Sequence, residues 1–174
     1  EAGQPILWWS PNPRLVLTPK TLKISKSLKK LLKKHNYQFS FDTSFTKVIQ
    51  HCAESRRQGD GTWITKEMQA AYIELHEQGY AHSVEIWSDG VLVGGLYGVA
   101  LGKVFFGESM FSSKSNTSKL ALVYLTKQLE LWDFELIDCQ VSSDHLFTLG
   151  AFEIPRTEFL EKVSASVQQE PHEA

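Results

Sequence analysis

Asp138 and Gln140 stand two residues apart in Leu136-Ile-Asp-Cys-Gln-Val141, and Glu108 stands in Phe105-Phe-Gly-Glu-Ser-Met-Phe111. Both stretches read as interior strands, where an ionisable group is costly unless it is paired or working. Alternate side chains of a strand share a face, so Asp138 and Gln140 point together and Cys139 points away. Two readings of the pair are open. One is a ligand site at the end of a strand, where open sheets often bind. The other is a strand-end Asp138 that caps the turn at Ser142 and Ser143, beside a solvated Gln140. No Cys–His arrangement is readable around Cys139, and its parity buries it, so it is not read as a nucleophile. Strict alternation sets Phe106, Glu108 and Met110 on one face and Phe105 on the other. Phe105 and Glu108 can line one pocket only if the strand bulges, and Gly107 is the obvious position. Without that pocket, Glu108 is a carboxylate paired to a lysine or a helix N-terminus.

A second group is cationic. Lys26, Lys30, Lys33 and Lys34 fall at helical spacing and can each meet a phosphate as a point charge, giving salt-dependent, sequence-tolerant binding. A solvated face, or a helix lying on an anionic membrane, would use the same pattern. Gly94-Gly95 lacks the Walker lysine and the GxGxxG spacing, so nucleotide binding is not indicated. Glycines within a strand fit a bulge or a close approach better. His145 follows Asp144, and its role is open. Cys52 and Cys139 show neither CxxC spacing nor histidines at metal-ligand spacing, so a reduced, cytosolic protein is the expectation.

These side chains need a frame. A chain of 174 residues with 42% hydrophobic residues suits one domain of ordinary size. No apolar run approaches the ~18 residues of a membrane span, and the first residues lack a signal-peptide pattern. The net charge of −2 hides an asymmetry. From Ala2 to Phe41 there is no acid, against Arg14 and seven lysines, so this segment carries +8 and the rest of the chain −10. Such a division suggests a polyanionic partner.

Residues 5–20 read as an extended lead-in, and Leu22–Ser25 as a short strand. A helix capped at Ser25 or Ser27 runs to about His35. Tyr37–Phe41 alternates like a strand, and Ser44–Ser55 is helical on the spacing of Phe45, Val48, Ile49 and Cys52. After a loop at Arg56–Gly61, Thr65 caps a helix to about Glu77 that Gly79 ends. Ser83–Trp87 and Val91–Ala100 form a hairpin over Ser88-Asp-Gly90, and Lys103–Phe111 is a third strand. A long helix from about Thr117 to Trp132, a strand at Glu135–Val141, a short helix at Ser143–Thr148 and a helix at Arg156–Val163 complete the order. The class is α+β, a mixed, largely antiparallel sheet flanked by helices. Residues 1–36 read as an N-terminal region with the basic helix, 37–164 as the main domain, and 165–174 as a disordered tail.

Six strings in sequence carry a resemblance: Gly61-Thr-Trp-Ile-Thr65, Ala81-His-Ser-Val-Glu85, Leu92 to Ala100, Phe106 to Ser112, Leu136 to Gln140 and Leu149 to Arg156. In that order they resemble the leucyl/phenylalanyl-tRNA–protein transferase family, and the likeness extends from Pro5 to about Leu160. It implies an acetyltransferase-like (GNAT) fold. It further implies transfer of Leu or Phe, sometimes Met, from aminoacyl-tRNA to proteins with N-terminal Arg or Lys, marking them for degradation by the N-end rule. Asp138 and Gln140 match the family's catalytic motif, with Glu108 and Asp138 as the negative field that receives the acceptor. Asp138 would also orient Gln140, whose carbonyl accepts from the attacking amine. Trp63, Leu96, Phe105, Met110, Leu122 and Ile137 match its aminoacyl pocket, and Lys26, Lys30, Lys33 and Lys34 its tRNA-binding cluster. Taken singly, the pocket residues read more often as plain core. No metal or small cofactor is implied, no membrane is involved, and a cytoplasmic monomer is expected.

Family members carry a further N-terminal segment before the Trp8-Trp9 block, close to which this chain begins. A non-catalytic tRNA-binding module of the same fold is therefore the alternative. An acyl-CoA-dependent enzyme would need a glycine-containing pyrophosphate turn before the long helix, and Ser112-Ser-Lys-Ser-Asn-Thr-Ser-Lys119 has no glycine.

Overall fold

The computed structural model describes residues 10–33, 36–57 and 63–169. In chain order its elements are β1 (Arg14–Leu17), a 3-10 turn (Pro19–Thr21), α1 (Lys26–Lys33), β2 (Gln38–Phe41), α2 (Phe45–Arg57), α3 (Lys66–Glu77), β3 (Ala81–Ser88), β4 (Val91–Leu101), β5 (Val104–Ser112), α4 (Thr117–Leu131), β6 (Leu136–Gln140), α5 (Asp144–Phe147), β7 (Phe152–Ile154) and α6 (Arg156–Ser166). The strands form one seven-stranded sheet in the order β2-β3-β4-β5-β6-β1-β7. Only β5 and β6 run parallel; α4 is the crossover between them, as a parallel pair requires. The mixed, largely antiparallel α+β class expected from the sequence is the one observed.

The pleat sends alternate side chains of the sheet into different cores, and a third core joins Val16, Val104, Leu136 and Ile154 to Phe159 of α6. On one face Val84, Ile86, Val93, Leu96, Phe105 and Ile137 pack under Leu120, Leu122, Leu125 and Leu129 of α4. On the other, Tyr97 and Phe111 pack against Phe45, Val48, Ile49 and Cys52 of α2, the spacing read as helical from the sequence. The β3–β4 turn holds Asp89 at φ 52° and Gly90 at φ 76°, the backbone of a two-residue primed turn. Gly94 permits a close approach: a Cβ there would collide with Thr117 Oγ1. The Thr117 hydroxyl instead donates to the Val93 carbonyl at 2.8 Å and pins the start of α4 to β4.

Several elements differ from the expectation. Leu22–Ser25 is not a strand: these residues join no ladder of the sheet, although Lys23 N donates to Leu149 O at 2.9 Å. The strand lies earlier, at Arg14–Leu17 within the expected lead-in, antiparallel to both β6 and β7. Prolines at 11, 13 and 19 frame this short apolar run, and four residues are too few to show a period. Leu15, Leu17 and Leu28, on the N-terminal side of the expected boundary at residue 36, share a core with α4. The tail expected to be disordered from residue 165 begins inside α6, and the buried Ser166 donates from Oγ to Glu135 Oε2 at 2.6 Å. Helix α2 also continues through Arg57; residues 58–61 of the expected loop, and the expected helix end at His35, lie outside the described residues.

Candidate active site

The parallel register of β5 and β6 runs Val104 to Leu136, Phe105 to Ile137 and Phe106 to Asp138. Just past it β5 bulges. Gly98 of β4 opposes Gly107, but the next residue back, Tyr97, opposes Ser109, which leaves Glu108 as the extra residue. A bulge reverses the parity of a strand. Phe105 before it and Met110 after it consequently face the same side, as the expectation at Gly107 required.

The opening so formed is a cavity of about 380 Å³ lined by Leu96, Phe105, Glu108, Met110, Leu122, Ile137, Asp138 and Gln140, among others. Five of the six expected pocket residues meet there. Trp63 does not. It is 41% exposed and absent from the lining, because its neighbour Ile64 takes the buried position in the core beneath α2 and α3.

Asp138 is fully buried, and its oxygens are committed. Arg14 donates from Nε to Oδ1 at 2.9 Å and from Nη2 to Oδ2 at 2.5 Å. Oδ1 also accepts the backbone N–H of Gln140 at 2.9 Å. Asp138 thus meets Gln140 through the main chain, not through its carboxamide. Asp138 is paired with Arg14, while Glu108 faces the same cavity with no arginine hydrogen-bonded to its oxygens among the described residues. In the sequence Arg14 reads only as part of the basic segment. Its signal was the single arginine heading the apolar run Leu15-Val-Leu17.

Gln140 adopts φ +65°, a left-handed conformation unusual for a residue with a side chain. Its Nε2 donates to Gly107 O at 2.8 Å and approaches Glu108 Oε2 at 3.4 Å. Cys139, expected to point away from Asp138 and Gln140, keeps the parity of Ile137, and both of these side chains line the cavity. Burial, reinforced by Asp138, pushes the Cys139 thiol up to about 12, so it is not a thiolate nucleophile at neutral pH.

Burial raises the pKa of Glu108. Hydrogen bonds from Tyr72 and Gln140 oppose that rise, Asp138 adds to it, and Arg14 opposes it. Tyr72 of α3 was not anticipated; burial, then Glu108, raises its pKa, so its hydroxyl stays a donor. His145 also lines the cavity, 3.5 Å from Ser118 Oγ. Burial, then Lys119, lowers its pKa, which favours the neutral ring.

Lys26, Lys30 and Lys33 are exposed along α1; Lys34 lies outside the described residues. The buried Leu28 anchors this helix, and Ser25 Oγ accepts from Leu28 N at 3.2 Å, the cap expected from the sequence.

Residues 16–164 match the family model described as "Leucyl/phenylalanyl-tRNA protein transferase". The chain belongs to that family. It is 60% identical over 165 residues to the leucyl/phenylalanyl-tRNA–protein transferase of Nitrosospira multiformis, covering 95% of this chain and 71% of that one. The transferase of the same name from Azotobacter vinelandii is 60% identical over 159 residues, with 91% and 70% covered. That of Cellvibrio japonicus is 56% identical over 171 residues, with 98% and 72% covered. Among solved structures, L-PGS from Bacillus licheniformis aligns at a TM-score of 0.54 and 12% identity over 78% of this chain and 49% of its own. A conserved protein of unknown function from Bacteroides thetaiotaomicron aligns at 0.54 and 11% over 91% and 56%. At such identities these likenesses show the fold alone. With its relatives, the chain is a transferase.

Proposed function

We propose that the chain transfers a leucyl or phenylalanyl group from tRNA to the α-amino group of a protein that begins with Arg or Lys. The observation that carries this reading is an apolar cavity of about 380 Å³ with Gln140 and Glu108 at its polar end. Leu96, Phe105, Met110, Leu122 and Ile137 suit an uncharged side chain, whose burial is worth about 1.5–3 kcal/mol. Unbranched Met110 adapts to more than one shape.

The reaction is aminolysis of an activated ester. The acceptor's amine nitrogen attacks the ester carbonyl, a C–N bond forms, and the C–O bond to the terminal ribose breaks. The amine proton ends on the released ribose oxygen. Gln140 has its Nε2 committed to Gly107, so its Oε1 is the end that can accept from the amine. An amide is a poor base, and its contribution is therefore orientation. Glu108 is the partner for the acceptor's basic side chain. Exposed Lys26, Lys30 and Lys33 would meet the tRNA backbone by charge, without reading its sequence. Charged tRNA as substrate implies action in the cytoplasm, and among the described residues no helix is long and apolar enough to cross a membrane.

The alternative of a non-catalytic tRNA-binding module is not favoured, since the relatives are named as transferases and Glu108, Asp138 and Gln140 converge on one cavity. The test is transfer of labelled Leu and Phe from charged tRNA to a peptide that begins with Arg and to one that begins with Ala. Transfer to the first alone is expected. Equal labelling of both, or of neither, would overturn the reading.

A further inference from the structure

Arg14 and Asp138 lie 124 residues apart in sequence and meet because β1 runs antiparallel beside β6. The strand pair is irregular at the point that matters: Leu15 opposes Gln140 and Val16 opposes Asp138, with a register shift between Leu15 and Val16. Beside that shift the guanidinium lies over the Phe159 ring, 4.7 Å from its centroid, with 12% of the Arg14 side chain exposed. Phe159 belongs to α6 and fixes the plane of the fork from behind.

We propose that Arg14 is a positioning residue for the transfer reaction, gripping Asp138 so that Gln140 is held in the left-handed turn that aims its carboxamide at the cavity mouth. The inference rests on the function proposed above. Two parallel bonds from one planar fork fix both the position and the rotation of a carboxylate, which a single ammonium donor cannot do. Oδ1 of the carboxylate so fixed accepts the Gln140 N–H, and it is this bond that stands against the strain of φ +65°. With its backbone set, Gln140 reaches Gly107 O and stands beside Glu108. A direct role for Arg14 in holding tRNA does not fit, because its Nε and Nη2 are turned onto Asp138 and the group is nearly enclosed.

The test is steady-state transfer to an Arg-starting peptide by the full chain and by R14K and R14A. The kcat should fall about tenfold in R14K and further in R14A, while KM for charged tRNA stays within about twofold in both. Hydrogen exchange at the Gln140 amide should quicken in R14K, while amides of β3 keep their protection. R14K retains charge and length, so it decides the matter if R14A does not fold. Wild-type kcat in folded R14K and R14A would overturn the inference, as would a loss confined to KM or unchanged exchange at Gln140. A wild-type chain that transfers nothing would instead overturn the function proposed above.

Discussion

The carboxamide of Gln140 on β6 donates to the carbonyl of Gly107 on β5 across 2.8 Å, one residue before the bulge at Glu108. The bond bridges two strands at the point where their parallel register ends, and it fixes the amide's orientation. A Cβ at Gly107 would lie 3.1 Å from the Asp138 carbonyl, so glycine there lets β6 lie close. The cavity mouth is consequently built by backbone geometry as much as by side-chain identity.

Replacing Gln140 with Glu tests this orientation. The shape is retained, but an acceptor then faces the Gly107 carbonyl, and a second negative charge adjoins Glu108. Losing one such bond and leaving its partner unsatisfied costs about 1–3 kcal/mol, which corresponds to roughly 5–150-fold in rate. Transfer to an Arg-starting peptide should fall by that factor, with KM for charged tRNA little changed. A Gln140→Glu variant as fast as wild type would show that the amide positions nothing.

Asp138 and Cys139 should respond in opposite ways. Asp138 is a fully buried partner of Arg14, and breaking a buried ion pair costs about 3–5 kcal/mol. Asp138→Asn retains the volume and is the variant to assay. It should lose far more transfer activity than Cys139→Ala, whose thiol is protonated at neutral pH. Comparable losses in the two, measured on folded protein by circular dichroism, would remove the distinction between them.

Glu108 supplies a pH dependence. Burial raises its folded-state pKa above the ordinary glutamate value, so the folded protein holds this proton more tightly than the unfolded chain does. The stabilising contribution of protonated Glu108 is present below the ordinary value and is lost as pH rises through the raised one. At neutral pH the ionised group therefore costs stability, and Glu108→Gln should melt higher than wild type at pH 7 with a smaller difference at acid pH. Activity should move the other way. Capture of a basic acceptor needs the carboxylate, so wild-type kcat/KM for the Arg-starting peptide should decline as pH falls through the raised value, and Glu108→Gln should lack that limb. A variant with lower melting temperature and an unaltered acid limb would refute both.

Much of this site is legible before folding. Glu108, Asp138 and Gln140 stand out because polar groups interrupt apolar strands, and Gly107 announces the bulge that brings Phe105 and Glu108 to one cavity. Hairpin, caps and long helix follow from local rules, with Thr65 accepting from Met68 N at 3.3 Å as one case. Arg14 and Tyr72 escape such reading because their importance comes from contacts between distant segments. β1 pairs with strands far downstream, so nothing near Arg14 reveals the carboxylate it meets. Trp63 differs in kind: only the resemblance marks it for the pocket, and of the pair it is Ile64 that is buried while Trp63 is 41% exposed.

The lysines of α1 should report through salt. Lys26, Lys30 and Lys33 are exposed and act as point charges. Removing one that meets a phosphate should weaken tRNA binding uniformly and lower the slope of log affinity against log salt by about 1. Lys30→Ala and Lys33→Ala, compared by filter binding of charged tRNA across salt concentrations, should each show this, with kcat at saturating tRNA retained. A slope that does not change would assign the stripe to solvent.

Phe105 should limit the size of the transferred side chain. With Leu125 it borders both the cavity of about 380 Å³ and a larger one of about 550 Å³. Its ring rests on Gly98, where an added Cβ would lie 2.5 Å from Phe105 Cε1, so the ring sits tightly against β4 between the two spaces. Truncating it should join them. Phe105→Ala removes a buried ring at a cost of about 3–5 kcal/mol; Phe105→Leu is the milder change, and melting curves accompany both. Charged tRNA carrying 4-phenylphenylalanine should then compete against the Phe-charged form at least about tenfold better than with wild type, a gain of about 1.4 kcal/mol. Ala100 lines the larger cavity alone. Filling that space by Ala100→Leu should therefore cancel the gain in the Phe105 variant and leave transfer of Phe by the parent unchanged. Folded Phe105 variants with the wild-type preference would show that the two cavities remain separate without this ring.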